Sequence, residues 1–149
     1  MGTRSRVGVM HGTVCKSVYC HYDGYLDYTG KLLLQNYNSA AANELVARGD
    51  NSGVQVTVNA MNFYSERGET DVSWQVAHTF EEFLEQVYNC GGEYYYIMRD
   101  GEWYAGSVYA AKGLVVNGLT PLAEALAAND IEGLTAEMTE TQIAEVLFK

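Results

Sequence analysis

The chain reads as an α+β protein, a largely antiparallel sheet with helices packed on it. Three observations predict this. Two segments, 5–20 and 93–109, alternate in period two around turn residues, the pattern of hairpins. Segment 79–88 carries a capping box and an apolar stripe at i, i+3, i+4 and i+7, the pattern of an amphipathic helix. The expected element order, β-β-α-α-β-β-β-α-β-β-α-α, lacks the strict alternation of a parallel doubly wound sheet.

The first hairpin is expected over 5–10 and 14–20. Val7 and Val9 alternate, and His11-Gly12-Thr13 supplies the turn. Val14, Val18 and Cys20 then alternate against Cys15, Ser17 and Tyr19. Residues 21–30 are rich in turn formers and too aromatic for an ordinary solvent loop. Leu32, Leu33, Leu34 and Tyr37 predict a short helix over 30–37. Ser39 is read as the N-cap of a second helix. Its apolar face would be Ala42, Leu45 and Val46, and Gly49 would close it. This helical pair is expected to cover one face of the sheet.

Val54, Val56 and Val58 alternate with Gln55 and Thr57, which predicts a strand, and Met61 with Phe63 suggests another. Residues 65–71 are polar and read as an exposed loop. Val72, Trp74 and Val76 predict a further strand. His78 shares their face, where a half-buried, hydrogen-bonded histidine is expected. In the 79–88 helix, Phe80, Phe83, Leu84 and Val87 should face inward and Glu81, Glu82 and Glu85 outward, with Gly91-Gly92 as the stop. In the second hairpin, Asp100-Gly101 is a strong type I′ turn signal. Trp103, Ala105, Ser107 and Tyr109 would line one face, Tyr104, Gly106 and Val108 the other.

The tail reads as helical. Thr120 would cap a helix with Pro121 in its first position and Leu122, Ala125 and Leu126 as its stripe. Thr139 and Gln142 form a second capping box before Ile143, Val146 and Leu147. That last helix is expected to dock on the domain or on a partner.

The 149 residues fit one domain, 1–149, and an apolar share of 48% excludes intrinsic disorder. No apolar run has signal-peptide or membrane-helix length, and Gly2 with Ser5 is a poor myristoylation match. A soluble, cytoplasmic protein is expected. Three cysteines without framework spacing argue for free, mostly buried thiols. On one strand, Cys15 and Cys20 would face opposite sides.

The net charge of −10 is uneven. Residues 1–50 hold five Lys/Arg and four Asp/Glu, a net of +1, whereas 51–149 hold four and fifteen, a net of −11. An acidic body repels nucleic acid in general and suits a partner with a basic surface. It also simply keeps a surface soluble. A small anion could still bind near Arg4 and Arg6.

Phosphate-binding Gly-rich loops, GxGxxG, GxSxG, HExxH and paired CxxC motifs are all absent, which removes common enzyme classes. The densest polar cluster is Cys20-His21-Tyr22-Asp23-Gly24-Tyr25. A thiol, an imidazole and a carboxylate could serve catalysis or a metal. Neighbours on an extended chain point apart, however, so Cys20 and His21 would not form a local dyad. No metal or other cofactor is expected. A binding loop is preferred, built from Arg4, Arg6, Cys20, His21, Tyr22, Asp23 and Tyr25. The bland alternative is that His21 and Asp23 only fix the turn. The 12 tyrosines include Tyr19, Tyr22, Tyr25 and Tyr28 around this loop and Tyr94 to Tyr96 in the second hairpin. Their rings could fill the core or serve binding, because tyrosine offers flat contact area and a hydrogen bond together.

Thr3-Arg4-Ser5-Arg6-Val7-Gly8, then Ser17-Val18-Tyr19-Cys20-His21-Tyr22-Asp23-Gly24-Tyr25, resembles a family of small uncharacterised proteins of bacteriophages and some bacteria. Gly30-Lys31-Leu32-Leu33-Leu34 with Tyr37-Asn38, Phe80-Glu81-Glu82-Phe83 and Glu93-Tyr94-Tyr95-Tyr96-Ile97 add to the likeness. The chain has Tyr22 and Leu26 where the family pattern has Trp and Pro. The resemblance implies a phage-encoded accessory protein that binds a host factor in the host cytoplasm, possible countering of host defence included. Two alternatives stand beside it. One is a nucleotide-binding module that sequesters a signal. The other is a small hydrolase using Cys20, His21 or Asp23. A homo-oligomer is compatible with either.

Overall fold

A computed structural model describes residues 3–107, 115–116, 120–128, 138–139 and 145–148. The chain starts with the expected hairpin, β1 (Ser5–His11) and β2 (Val14–Cys20), turning at Gly12 with φ +63°. A π-helical turn at Leu26–Gly30 runs straight into α1 (Lys31–Asn36), and α2 (Ser39–Arg48) follows. The cap of α2 is Asn38, not Ser39. Its side chain accepts from the Ala41 N–H at 2.9 Å.

Segment 50–74 departs from the sequence reading. The strands expected around Val54–Val58 and Met61–Phe63 do not form. Asn51 makes isolated bridges to Cys20 and Phe63, and 3₁₀ turns occupy Val58–Ala60 and Tyr64–Arg67. Val54 and Val58 are nonetheless buried while Val56 is 58% exposed. Alternation would put all three valines on one face, but the irregular backbone turns Val56 to solvent between buried Val54 and Val58. Next come the three-residue β3 (Gln75–Ala77) and α3 (Phe80–Asn89). His78, expected half-buried, is exposed. Its backbone N–H donates to Glu82 Oε1 at 2.7 Å, while the Thr79 hydroxyl accepts from the Glu82 N–H at 3.0 Å. These two bonds close the α3 cap.

The second hairpin is β4 (Tyr94–Arg99) and β5 (Glu102–Ser107), turning through Asp100 and Gly101, both at positive φ. Beyond it lie β6 (Val115–Val116), β7 (Thr120–Pro121), α4 (Leu122–Ala128) and β8 (Met138–Thr139). Thr120 and Pro121 thus pair as a strand against Ala105 and Tyr104 instead of opening the helix. Thr139 likewise lies in a strand and pairs with Val115. Val108, Tyr109, Gln142 and Ile143 lie outside the described residues, as does the Ala125 side chain.

The main sheet has the order β3-β2-β1-β4-β5-β7. Only β1 and β4 run parallel; the other four pairs are antiparallel. The fold is α+β with a largely antiparallel sheet. Both faces are covered. Val7, Val9, Val18, Cys20, Tyr96 and Met98 pack with α1, α2 and Leu122. Cys15, Tyr95 and Ile97 pack on the other face with Phe80, Phe83, Leu84 and Val87 of α3, joined by Leu147 and Phe148. No helix among the described residues is long and apolar enough to cross a membrane.

Candidate functional site

Period two decides where the basic N-terminal residues go. Arg6 pairs in register with Tyr19 on one side and Tyr95 on the other, so it lies on the α3 face of the sheet. Helix α3 covers Tyr95 and stops at Asn89. The last turn of α3 therefore forms a wall beside Arg6 instead of a lid over it. The opposite wall is the irregular segment after α2, which carries Asp50, Asp71, Ser73 and Trp74, together with Gln75 at the start of β3. Between them lies a cavity of about 450 Å³ that Arg6, Tyr19, Asp50, Gln86, Asn89 and Cys90 also line. This is within the usual range for small-molecule sites.

Arg6 is only 2% exposed. Its Nε donates to Ser17 Oγ and its Nη2 to the Ser17 carbonyl, each at 2.9 Å. No carboxylate among the described residues forms an ion pair with it. Asp50 is half-buried nearby. Its Oδ1 accepts from the Tyr19 N–H at 2.9 Å. Burial pushes the Asp50 carboxyl above its usual range, opposed by that hydrogen bond and by the Arg6 charge. Gln86 donates from Nε2 to the Val76 carbonyl at 2.9 Å, and its buried Oε1 has no partner among the described residues. Trp74 is held in its wall by Lys16, whose Nζ lies 5.4 Å from the ring centroid.

Arg4 sits at the rim. It is exposed and lies against Gly91, where a Cβ would approach its Nη1 to 3.0 Å. The Tyr19 hydroxyl is raised above its usual pKa chiefly by burial, with the Arg4 guanidinium pulling the other way. That hydroxyl shares a hydrogen bond with His21 Nδ1, and the His21 ring packs edge-on to Tyr22 at 4.3 Å between centroids. Arg6 and Tyr19 thus line the cleft, while Arg4 and His21 adjoin the Tyr19 side chain without lining it.

The rest of the expected loop goes elsewhere. Cys20 points to the opposite face and is fully buried, so it cannot touch a ligand in the cleft. Tyr22, Asp23 and Tyr25 are exposed. The loop itself is tightly held. His21 and Tyr22 donate their N–H groups to the carbonyls of Asn51 and Ser52, and Gly24 donates to that of Thr3 at 2.7 Å. The Tyr96 hydroxyl donates to the Gly24 carbonyl at 2.7 Å. A Cβ at Gly24 would come within 2.7 Å of Ser5, so only glycine fits. Asp23 takes a left-handed φ of +57°, and its carbonyl accepts from Thr29 Oγ1 at 2.6 Å. Sequence reading missed Asp50, Trp74, Gln86 and Asn89. Gln86 carried a weak signal, as a polar residue flanking the apolar stripe of α3.

Burial pushes the thiols of Cys15 and Cys20 up to about 12, which removes the thiolate needed for nucleophilic attack. Cys90 is partly exposed at the cleft, and all three cysteines are free. Thiol titration of the native protein with an aromatic disulfide reagent is expected to report one reactive thiol, and titration after denaturation all three. Fast reaction of two or more in the native state would contradict this burial. Among the described residues, no cluster of His, Cys, Asp or Glu is placed to hold a metal ion. No protein-family model matches the chain, and comparisons with curated proteins and with solved structures find no similar one.

Proposed function

We propose that this protein is a binding module and that it holds a small ligand through an anionic group at Arg6. One observation carries the reading. Arg6 is a buried guanidinium on the wall of an open cleft, and among the described residues it hydrogen-bonds only Ser17 and forms no ion pair. Burying an unpaired charge costs on the order of several kcal/mol even after relaxation. A carboxylate or phosphate in the cleft would offset that cost with bidentate hydrogen bonds. Tyr19 and Trp74 add flat surfaces for a base or another planar group, which supports a signal-sequestering role as one form of this activity.

The test is a thermal-shift screen against nucleoside mono-, di- and cyclic phosphates, small carboxylates and amino acids. A ligand at 100 times its dissociation constant should stabilise the fold by about 2.7 kcal/mol. Arg6→Gln should abolish the shift. No shift with any anionic compound would sink the reading.

A second reading is favoured by the net charge of −10 together with Tyr22 at 50% and Tyr25 at 38% exposure beside the exposed Asp23 and Asp27. Here a phage-encoded accessory protein uses this acidic, aromatic loop to bind a host factor with a basic surface. Capture of one host protein that is lost at high salt and lost in Tyr22→Ala/Tyr25→Ala supports it. Capture unchanged by both would refute it.

A further inference from the structure

Resting on the Arg6 reading above, we infer that the cleft takes a small zwitterion, a free α-amino acid, with its carboxylate on Arg6 and its ammonium on Asp50. The argument begins with two unspent charges. Arg6 and Asp50 line the same cavity, and neither forms an ion pair with any described residue. Burial is the larger influence on the Asp50 carboxyl and pushes it up, while the Arg6 guanidinium favours its ionised form. The space between them is therefore bounded by one cation and one anion. Each also keeps hydrogen-bonding capacity. Among the described residues Arg6 bonds only Ser17, which leaves further N–H donors. Asp50 uses Oδ1 for the Tyr19 N–H, and its second oxygen has no bond among the described residues.

Charge balance selects the ligand class. Asp71 also lines the cleft, so one arginine faces two carboxylates there. A phosphate dianion would gain Arg6 and meet repulsion from both aspartates. A simple cation would gain the aspartates and leave Arg6 unpaired. A zwitterion places each of its charges against the opposite one. An α-amino acid carries the two charges on one carbon, which suits neighbouring protein groups that do not touch. Its side chain then has the rest of the roughly 450 Å³, lined by Trp74 and Gln86.

The experiment is calorimetric titration of the wild-type chain with free amino acids, then with the methyl ester and the N-acetyl derivative of the tightest one. Either derivative should bind at least about tenfold more weakly, because each deletes one charge. Asp50→Asn should lose at least about tenfold in affinity, while its side-chain oxygen still accepts from the Tyr19 N–H. The derivatives test the unaltered protein, so the result stands even if a variant at Arg6 fails to fold. If the N-acetyl compound binds as tightly as its parent, the zwitterion inference falls and anion binding stands. The same holds if carboxylates or nucleotides bind and no amino acid does. If no anionic compound of any kind binds, both fall.

Discussion

Phe83→Ala is expected to lower the free energy of unfolding by about 3–5 kcal/mol, measured by urea denaturation. Phe83 has no exposed surface and stands at the centre of the second core. Its ring meets Tyr95 edge-on at 5.5 Å and stacks near Phe80 at 6.2 Å between centroids. Truncation removes apolar burial and both ring contacts together. The cavity left behind is walled by the sheet and by α3, and neither can collapse into it without breaking backbone pairing. A loss below about 1 kcal/mol would mean that α3 does not seat on Tyr95.

Gly106→Ala is expected to cost about 2–3 kcal/mol or more, although it adds a single methyl group. Gly106 pairs directly with Tyr95 across β4 and β5. The fully buried Tyr95 ring lies flat over the glycine. An added Cβ would sit 2.6 Å from its Cε1 and closer still to Cζ and the hydroxyl. The ring cannot swing away, because Phe80 and Phe83 hold its other side. A neutral substitution, within about 0.5 kcal/mol by the same denaturation assay, would show that the ring does not occupy this position.

The two predictions draw on different information. That Phe83 faces a core follows from the i, i+3, i+4, i+7 spacing in α3. That Gly106 is indispensable does not follow from the local pattern: the turn at Asp100-Gly101 sets Gly106 opposite Tyr95, but only the packing of Phe80 and Phe83 pins the Tyr95 ring over it. The residues of the candidate site divide in the same way. Arg4, Arg6 and His21 were legible as an unusual basic and aromatic stretch. Asp50 was not, because it looked like an ordinary polar residue just past a helix stop. The strand expected at Val54–Val58 fails for a related reason. A strand would put Val54, Val56 and Val58 on one face, but Val56 is exposed between its two buried neighbours; period two in the sequence becomes a strand only where a partner offers free backbone groups at the right distance.

The sequence by itself determined the local units: both hairpins, the turn at Asp100-Gly101, the capped α3 and the inward face of each. Turn chemistry, capping and hydrophobic period act over a few residues, so they can be read directly from the chain. Only the tertiary structure decided that β1 runs parallel beside β4, that α3 ends just short of Arg6, and that the irregular chain from Asp50 to Trp74 closes the cleft. Those outcomes depend on contacts between residues that are tens of positions apart, where loop-closure entropy is met by packing that no single segment encodes.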